Sequence, residues 1–460
     1  MAIGTCFYQG KDCDSVRVMA QQWLYLAQLW VSTPFGKGRL NLSGIQIECL
    51  LLLARQTNAV GSDLTWVSAG SLLRTAFQMG FHRDPKNFPK MSIMHGELRR
   101  RLWATVLEII IQTSLDSAMP PLITSDDFDT APPSNINDED IFEGTFIAPT
   151  PKPANVFTQT SIQIQLLQSL HTRLEITQQL NNFRSELSYD EVLRLGSEIG
   201  AACKEASILM SEYSLSIHSP TALQRNLLDV SIRRFLLIIH QPFAIKSQTD
   251  PRYYFSHKVC LDTAVTIISY SGSSDAEPVP YPGEMDDYTR LKFVGGGFYK
   301  DIIFFAGITV CLELIAQLKE EYSSGLPLSA SAKIARAPLR QYVQDVAAII
   351  VTRITLGDND VKSYLVLCAA MGQMDGLEKG VDPENEIVDA VRSGVRRSWD
   401  LLKARTKMPE VQLDEEGELA RETEMSYPDF SYDSMMQDMN LDFEMSDSWL
   451  FADWESNNKW

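Results

Sequence analysis

The chain has 460 residues, 45% of them hydrophobic and 22% charged, with a formal net charge of −18. That composition buries a large core, and the length allows two or three ordinary domains or one long helical body. The negative balance argues against DNA binding through a general cationic surface, and seven scattered cysteines without a disulfide framework fit a reducing compartment.

In chain order, apolar residues recur at helical spacing over Val16–Trp30 and over Ile45–Leu53. No basic stretch followed by an apolar block opens the chain, so no signal peptide is expected. Leu98, Leu102, Val106, Ile109 and Ile110 predict a long helix from Leu98 to Leu115. A break rich in Pro and acidic residues follows at Ala131–Ala154. Ile162, Leu166, Leu170, Leu174, Thr177 and Leu180 then draw one long stripe. Leu223–His240 is nearly apolar throughout and predicts a central helix stopped just before Pro242. Further helices are predicted at Lys258–Tyr270, Tyr299–Tyr322, Ala337–Leu356, Val361–Met371 and Glu386–Lys403, with a loop at Ser271–Asp287. Strand alternation is scarce, and clean apolar runs such as Phe235–Ile239 fall far below the roughly twenty residues a membrane helix needs. The expectation is a soluble, intracellular all-α protein: an irregular multi-helix domain over residues 1–405, then a disordered acidic tail over 406–460.

One stretch carries more information than the rest. Leu72 to Pro85 includes Arg74, Gly80, His82, Arg83 and Asp84; Glu97-Leu98-Arg99-Arg100-Arg101-Leu102-Trp103 follows; then come Ala118-Met119-Pro120, Asp126-Asp127-Phe128-Asp129 and Pro132-Pro133-Ser134-Asn135 with Asp138-Glu139-Asp140. In that order and spacing the stretch resembles the fungal-specific transcription factor domain, the middle homology region of fungal zinc-cluster regulators. Phe81 stands where the family has Leu, Ala104 where a second Trp is common, and Ala118-Met119-Pro120 where it has Gly-Arg-Pro. A second echo is Leu236 to Phe243, with His240, Pro242 and Phe243 matching Leu-His-Arg-Pro-Phe and Gln241 replacing the Arg. The resemblance covers Val16–Phe243 well and implies a nuclear regulator of RNA polymerase II genes. It further implies a helical domain that controls activity by sensing a small-molecule effector or by forming homo- or heterodimers. DNA would be engaged only through a six-cysteine zinc cluster, which the sequence from Met1 does not contain, so no cofactor is expected in this chain. The alternative reading is a non-DNA-binding interaction module or inhibitor of a related regulator.

Each motif also has a structural reading. Three consecutive arginines fan around a helix and cannot all face one phosphate backbone. Glu97 lies four residues before Arg101, and Asp126, Asp127 and Asp129 offer further carboxylates, so structural ion pairing is expected. Trp103 is expected in the core. His82 after Gly80, and His240 before Pro242, read as helix-end capping residues. Cys6 and Cys13 are ordinary thiols, since two cysteines cannot supply the four ligands of a thiolate zinc site. Gly295-Gly296-Gly297 lacks a preceding strand and a following Lys-Ser/Thr, so it reads as a loop and no phosphate site. No nucleophile elbow or P-loop is present, and no enzyme is expected.

The C-terminal segment has its own chemistry. From Glu410 to Trp460, fifteen Asp and Glu face two bases, so 13 of the 18 net negative charges lie there. Phe443, Trp449, Leu450, Phe451 and Trp454 alternate with acids, the composition of disordered activation segments. Mutual repulsion keeps such aromatics accessible to the grooves of transcription coactivators.

Overall fold

Helix starts are written in single residues. Asn41 accepts the Gly44 N–H, Ser92 the His95 N–H, and Asp286 those of Tyr288 and Thr289; Thr221 and Gln224 close a reciprocal capping box. In the computed structural model, the described residues are 3–7, 13–32, 40–61, 64–182, 184, 187–213, 219–270, 286–295, 300–324 and 330–406. Among them are fourteen α-helices and no strand. The first four are α1 (Cys13–Ser32), α2 (Leu42–Thr57), α3 (Thr65–Gln78) and α4 (Ile93–Asp116). After an extended segment come α5 (Ser161–Gln168), α6 (Leu170–Leu180), α7 (Tyr189–Tyr213) and α8 (Ala222–Lys246). The remainder are α9 (Tyr254–Ser269), α10 (Asp287–Val294), α11 (Lys300–Ser324), α12 (Ala330–Leu356), α13 (Lys362–Lys379) and α14 (Pro383–Thr406).

Met1–Asn181 and Leu187–Arg405 form one compact unit; a second comprises Asn182–Glu186 and Thr406–Trp460 and lies almost wholly outside the described residues. Within the first unit two apolar cores share one helix. Ile45, Leu72, Trp103, Ile110, Leu174 and Ile199 build the first; Ile267, Tyr288, Val310, Val346 and Leu367 build the second. Helix α8 turns Leu228, Ile232, Phe235 and Ile239 to the first core and Val230 and Leu237 to the second. Its apolar residues therefore face two cores, with Arg225, Asp229, Arg233 and Arg234 interleaved among them. Each fully buried Leu, Ile or Phe contributes about 1.5–3 kcal/mol, so disturbing α8 loosens both cores at once.

Three sequence expectations change. Helix α8 does not stop before Pro242 but runs through it to Lys246. Proline removes its own N–H at a cost of about 3 kcal/mol, and burial of His240 and Phe243 on either side offsets it. The stripe from Ile162 to Leu180 is two helices, because Ser169 interrupts it: its hydroxyl and the Arg173 guanidinium both donate to the Leu166 carbonyl. Helix α11 is long and apolar enough to cross a membrane, against the expectation that apolar runs fall far short of that length; Ile303, Val310, Cys311 and Leu314 bury it in the second core. The loop expected at Ser271–Asp287 and the glycine run fall mostly outside the described residues, as does the whole of 407–460 with Phe443, Trp449, Leu450, Phe451 and Trp454.

Candidate functional site

The motif residues converge where α3 hands the chain to α4. Gly80 has φ +73, in the left-handed region that ends a helix; its N–H reaches the Phe77 carbonyl and the Phe81 N–H reaches Ala76. This drops Phe81 into the core at 0% exposure, beneath the Arg99 guanidinium at 4.3 Å. Three residues on, Asp84 is fully buried. Its carboxylate accepts from Arg100 Nε at 3.2 Å and Nη2 at 3.0 Å, from the Lys86 N–H at 2.9 Å and from the Ala131 N–H at 2.9 Å. Burial pushes this carboxyl up, but the Arg100 bonds and the two backbone donors outweigh it and hold it down at about 2.

The segment after α4 is strapped across this hub. Asp129 donates its N–H to the His82 carbonyl and accepts the Asp84 N–H at 2.7 Å. Thr130 Oγ1 donates to the Phe81 carbonyl at 2.7 Å. Buried Glu97 accepts the Ser134 N–H and, at 3.2 Å, Arg101 Nε; Arg101 also pairs with Asp138 and donates to the Ile136 carbonyl. What composition marks as a break at Ala131–Ala154 is therefore an ordered strap held by buried charge. Trp103, 1% exposed, stands edge-on to Phe77 at 5.8 Å and to Phe128 of the strap at 5.7 Å.

Of the expected ion pairs, Glu97–Arg101 forms at 3.2 Å, whereas Asp126, Asp127 and Asp129 do not partner Arg99, Arg100 or Arg101. Asp84, Glu97 and Asp138 are the carboxylates of Arg100 and Arg101, while Arg99 caps the Met79 carbonyl at 2.8 Å and stacks on phenylalanine. Asp127 folds back on Thr124, Asp126 is exposed, and Asp129 meets Arg83 at 3.4 Å on the surface. His82 does not cap: its ring packs on Phe77 at 4.7 Å and its buried Nδ1 has no hydrogen-bond partner, so Arg99 does the work expected of it. Burial, with Arg83 and Arg99 nearby, lowers the affinity of His82 for a proton.

The other motif residues stay apart from the hub. Arg74 is exposed and bonds within α3 to the Gly70 carbonyl. The Pro120 carbonyl accepts from Trp66 Nε1 at 3.3 Å. Before it, Ala118 sits at φ +48, a left-handed position where the family pattern has glycine. His240, Pro242 and Phe243 belong to the packing of α7, α8 and α9: His240 Nδ1 lies 2.9 Å from Ser256 Oγ, and Phe243 sits 5.0 Å from the rings of Tyr189 and Tyr253. Burial pulls the His240 pKa down to about 4. Gly196 of α7 makes room for its ring, since a Cβ there would lie 2.2 Å from Nε2.

Sequence reasoning missed the hub itself. Asp84 sits in the motif string, but nothing in its neighbours distinguishes a buried carboxylate from a turn residue before Pro85. Behind the strap lies a cleft of about 250 Å³ lined by Trp103, Leu107, Phe128, Pro132, Leu167 and Leu170, with Arg100 and a Ser125–His171 hydrogen bond of 2.8 Å bordering it. Among the described residues no three His, Cys, Asp or Glu converge as metal ligands.

Comparison with known proteins places this geometry. Residues 2–227 match the fungal specific transcription factor domain. Transcription factor opdR of Penicillium oxalicum is 37% identical over 96% of this chain and 57% of its own length. Transcription factor lepE of Aspergillus flavus is 35% identical over 88% of this chain and 49% of its own, and the aspyridones cluster regulator apdR of Emericella nidulans 29% over 89% and 56%. The chain thus spans about half the length of these relatives, and no solved structure matches it. Residues 2–227, which hold the Asp84–Arg100 hub, its strap and Trp103, thus form a fungal specific transcription factor domain.

Proposed function

We propose that this chain is the regulatory and activating portion of a nuclear, pathway-specific transcription regulator that serves a metabolic gene cluster. The observation that carries the reading is the domain match over residues 2–227, within which Arg100 and Arg101 pair with the buried carboxylates of Asp84 and Glu97. The body regulates and self-associates, the acidic aromatic segment from 406 recruits coactivators, and DNA is engaged through a zinc cluster that these 460 residues do not supply. The cleft beside Trp103, where strap and helices meet, is the position this reading assigns to a small-molecule effector, whose occupancy would bias how tightly the strap closes. The naming of relatives as transcription factors, one of them a cluster regulator, supports this. The test is transcript profiling after disruption of the gene. Coordinated loss of transcripts from one contiguous gene group supports the reading; an unchanged profile under inducing conditions overturns it.

A further inference from the structure

Within the strap, residues 141–151 form a closed loop whose ends are stapled. Lys152 Nζ pairs with Asp140 at 2.9 Å, the Lys152 N–H donates to the Asn135 carbonyl at 2.8 Å, and Asn135 Nδ2 donates to the carbonyls of Lys152 and Pro153. Beyond the staple, Tyr213 fixes the Ala154 carbonyl at 2.7 Å. The tip is a hydrogen-bonded turn: Thr145 N–H and Oγ1 both donate to the Phe142 carbonyl, at 3.1 and 2.7 Å, and Gly144 takes φ +99. On this ordered turn Phe142, Phe146 and Ile147 are 63%, 93% and 86% exposed.

Single exposed apolar residues are ordinary on any surface. Three within six positions, on a turn whose own hydrogen bonds keep it from folding them inward, form a preorganised apolar knob. Its surroundings select the occupant. Of the four carboxylates around the loop, Asp138 pairs with Arg101 and Asp140 with Lys152, which leaves Glu139 and Glu143 as the exposed acidic rim beside the knob. Anionic headgroups would repel that rim, which disfavours a membrane. We propose that Phe142, Phe146 and Ile147 insert into an apolar cleft of a partner protein whose border carries lysine or arginine. The aromatic and aliphatic tips anchor the contact, and the carboxylates set orientation and encounter rate. This surface is separate from the acidic tail and does not depend on its being an activation segment.

The test places a photoreactive benzoylphenylalanine at position 146 of the full chain expressed in fungal cells, with the same group at exposed Ile334 as control. The expected result is one defined product from position 146, absent from the control, with the attachment point in an apolar cleft flanked by Lys or Arg. Phe142→Ser with Ile147→Ser lowers its yield by more than about tenfold, the factor that one well-buried apolar side chain carries alone. Glu139→Lys with Glu143→Lys lowers it as well, and melting stays that of the wild type, because all four side chains face solvent. Attachment to a second copy of this chain, to lipid or to a polar or acidic surface would overturn the proposal. So would the lack of a defined product, or a yield insensitive to the loop substitutions.

Discussion

Asp84→Asn tests the buried hub directly. The carboxylate is fully buried and accepts two bonds from Arg100 and one each from the Lys86 and Ala131 amides. Its pKa is held at about 2, against an ordinary 3.8, because the Arg100 and backbone bonds overcome the upward push of burial. At 1.36 kcal/mol per unit, that gap ties about 2.5 kcal/mol of folding free energy to the ionised form. Since the folded value lies below the unfolded one, this stability is present above pH 3.8 and is lost as the pH falls through about 2. Breaking a buried pair costs about 3–5 kcal/mol in general, and Arg100 keeps 24% of its side chain exposed, so the lower end applies. Urea denaturation at pH 7 is expected to show Asp84→Asn about 3 kcal/mol less stable than wild type, with the gap closing as the pH approaches 2. Equal stabilities at pH 7, or a gap that ignores pH, would refute the assignment of Asp84 as the hub.

Four further outcomes follow from the same geometry. Ala118→Gly relieves a left-handed alanine at the end of α4, and thermal melting is expected to show a gain of about 0.5–1 kcal/mol. His240 is buried with a pKa near 4, below its unfolded 6.5, so its neutral form contributes stability above pH 6.5 that is lost as the pH falls toward 4. That loss amounts to about 3 kcal/mol, should flatten in His240→Asn, and should be readable in denaturation midpoints across that window. Gly196→Ala pushes a methyl into the same ring and is expected to cost about 1–3 kcal/mol in urea melts. Trp103→Ala, emptying an indole 1% exposed between Phe77 and Phe128, is expected to cost about 3–5 kcal/mol; an unchanged melt would contradict the packing.

How much of this could be read beforehand depends on how local each signal is. Helices with a dense 3–4 spacing, such as α1, α2 and α4, are visible because their periodicity is their own. Helix α7 is not among the elements expected above, although Val192, Leu195, Ile199, Cys203, Ala206 and Met210 recur at three- and four-residue steps and its periodicity is as legible as that of α1. Helix α10 has only eight residues and takes its burial from α8 and α12. The course of α8 past Pro242 depends on what Phe243 and His240 pack against, which lies in α7 and α9 and leaves no local trace. The same holds for the site. Glu97 and Arg101 sit four apart on one helix and their pair is legible. Asp84 meets Arg100 and Ala131 only after α3 has turned at Gly80 and the strap has crossed, contacts that span 16 and 47 residues.

We propose that this chain regulates and activates transcription when brought to DNA. The most direct measurement joins all 460 residues to an unrelated DNA-binding domain and reads a reporter, beside the same fusion ending at 405 and one with Trp449, Phe451 and Trp454 changed to Ala. Strong activation by the full chain, falling to near background in both variants, is the expected result, because the aromatic residues among the acids make the contacts. A full-length fusion that is expressed but silent, or one whose activity survives both changes, would contradict it.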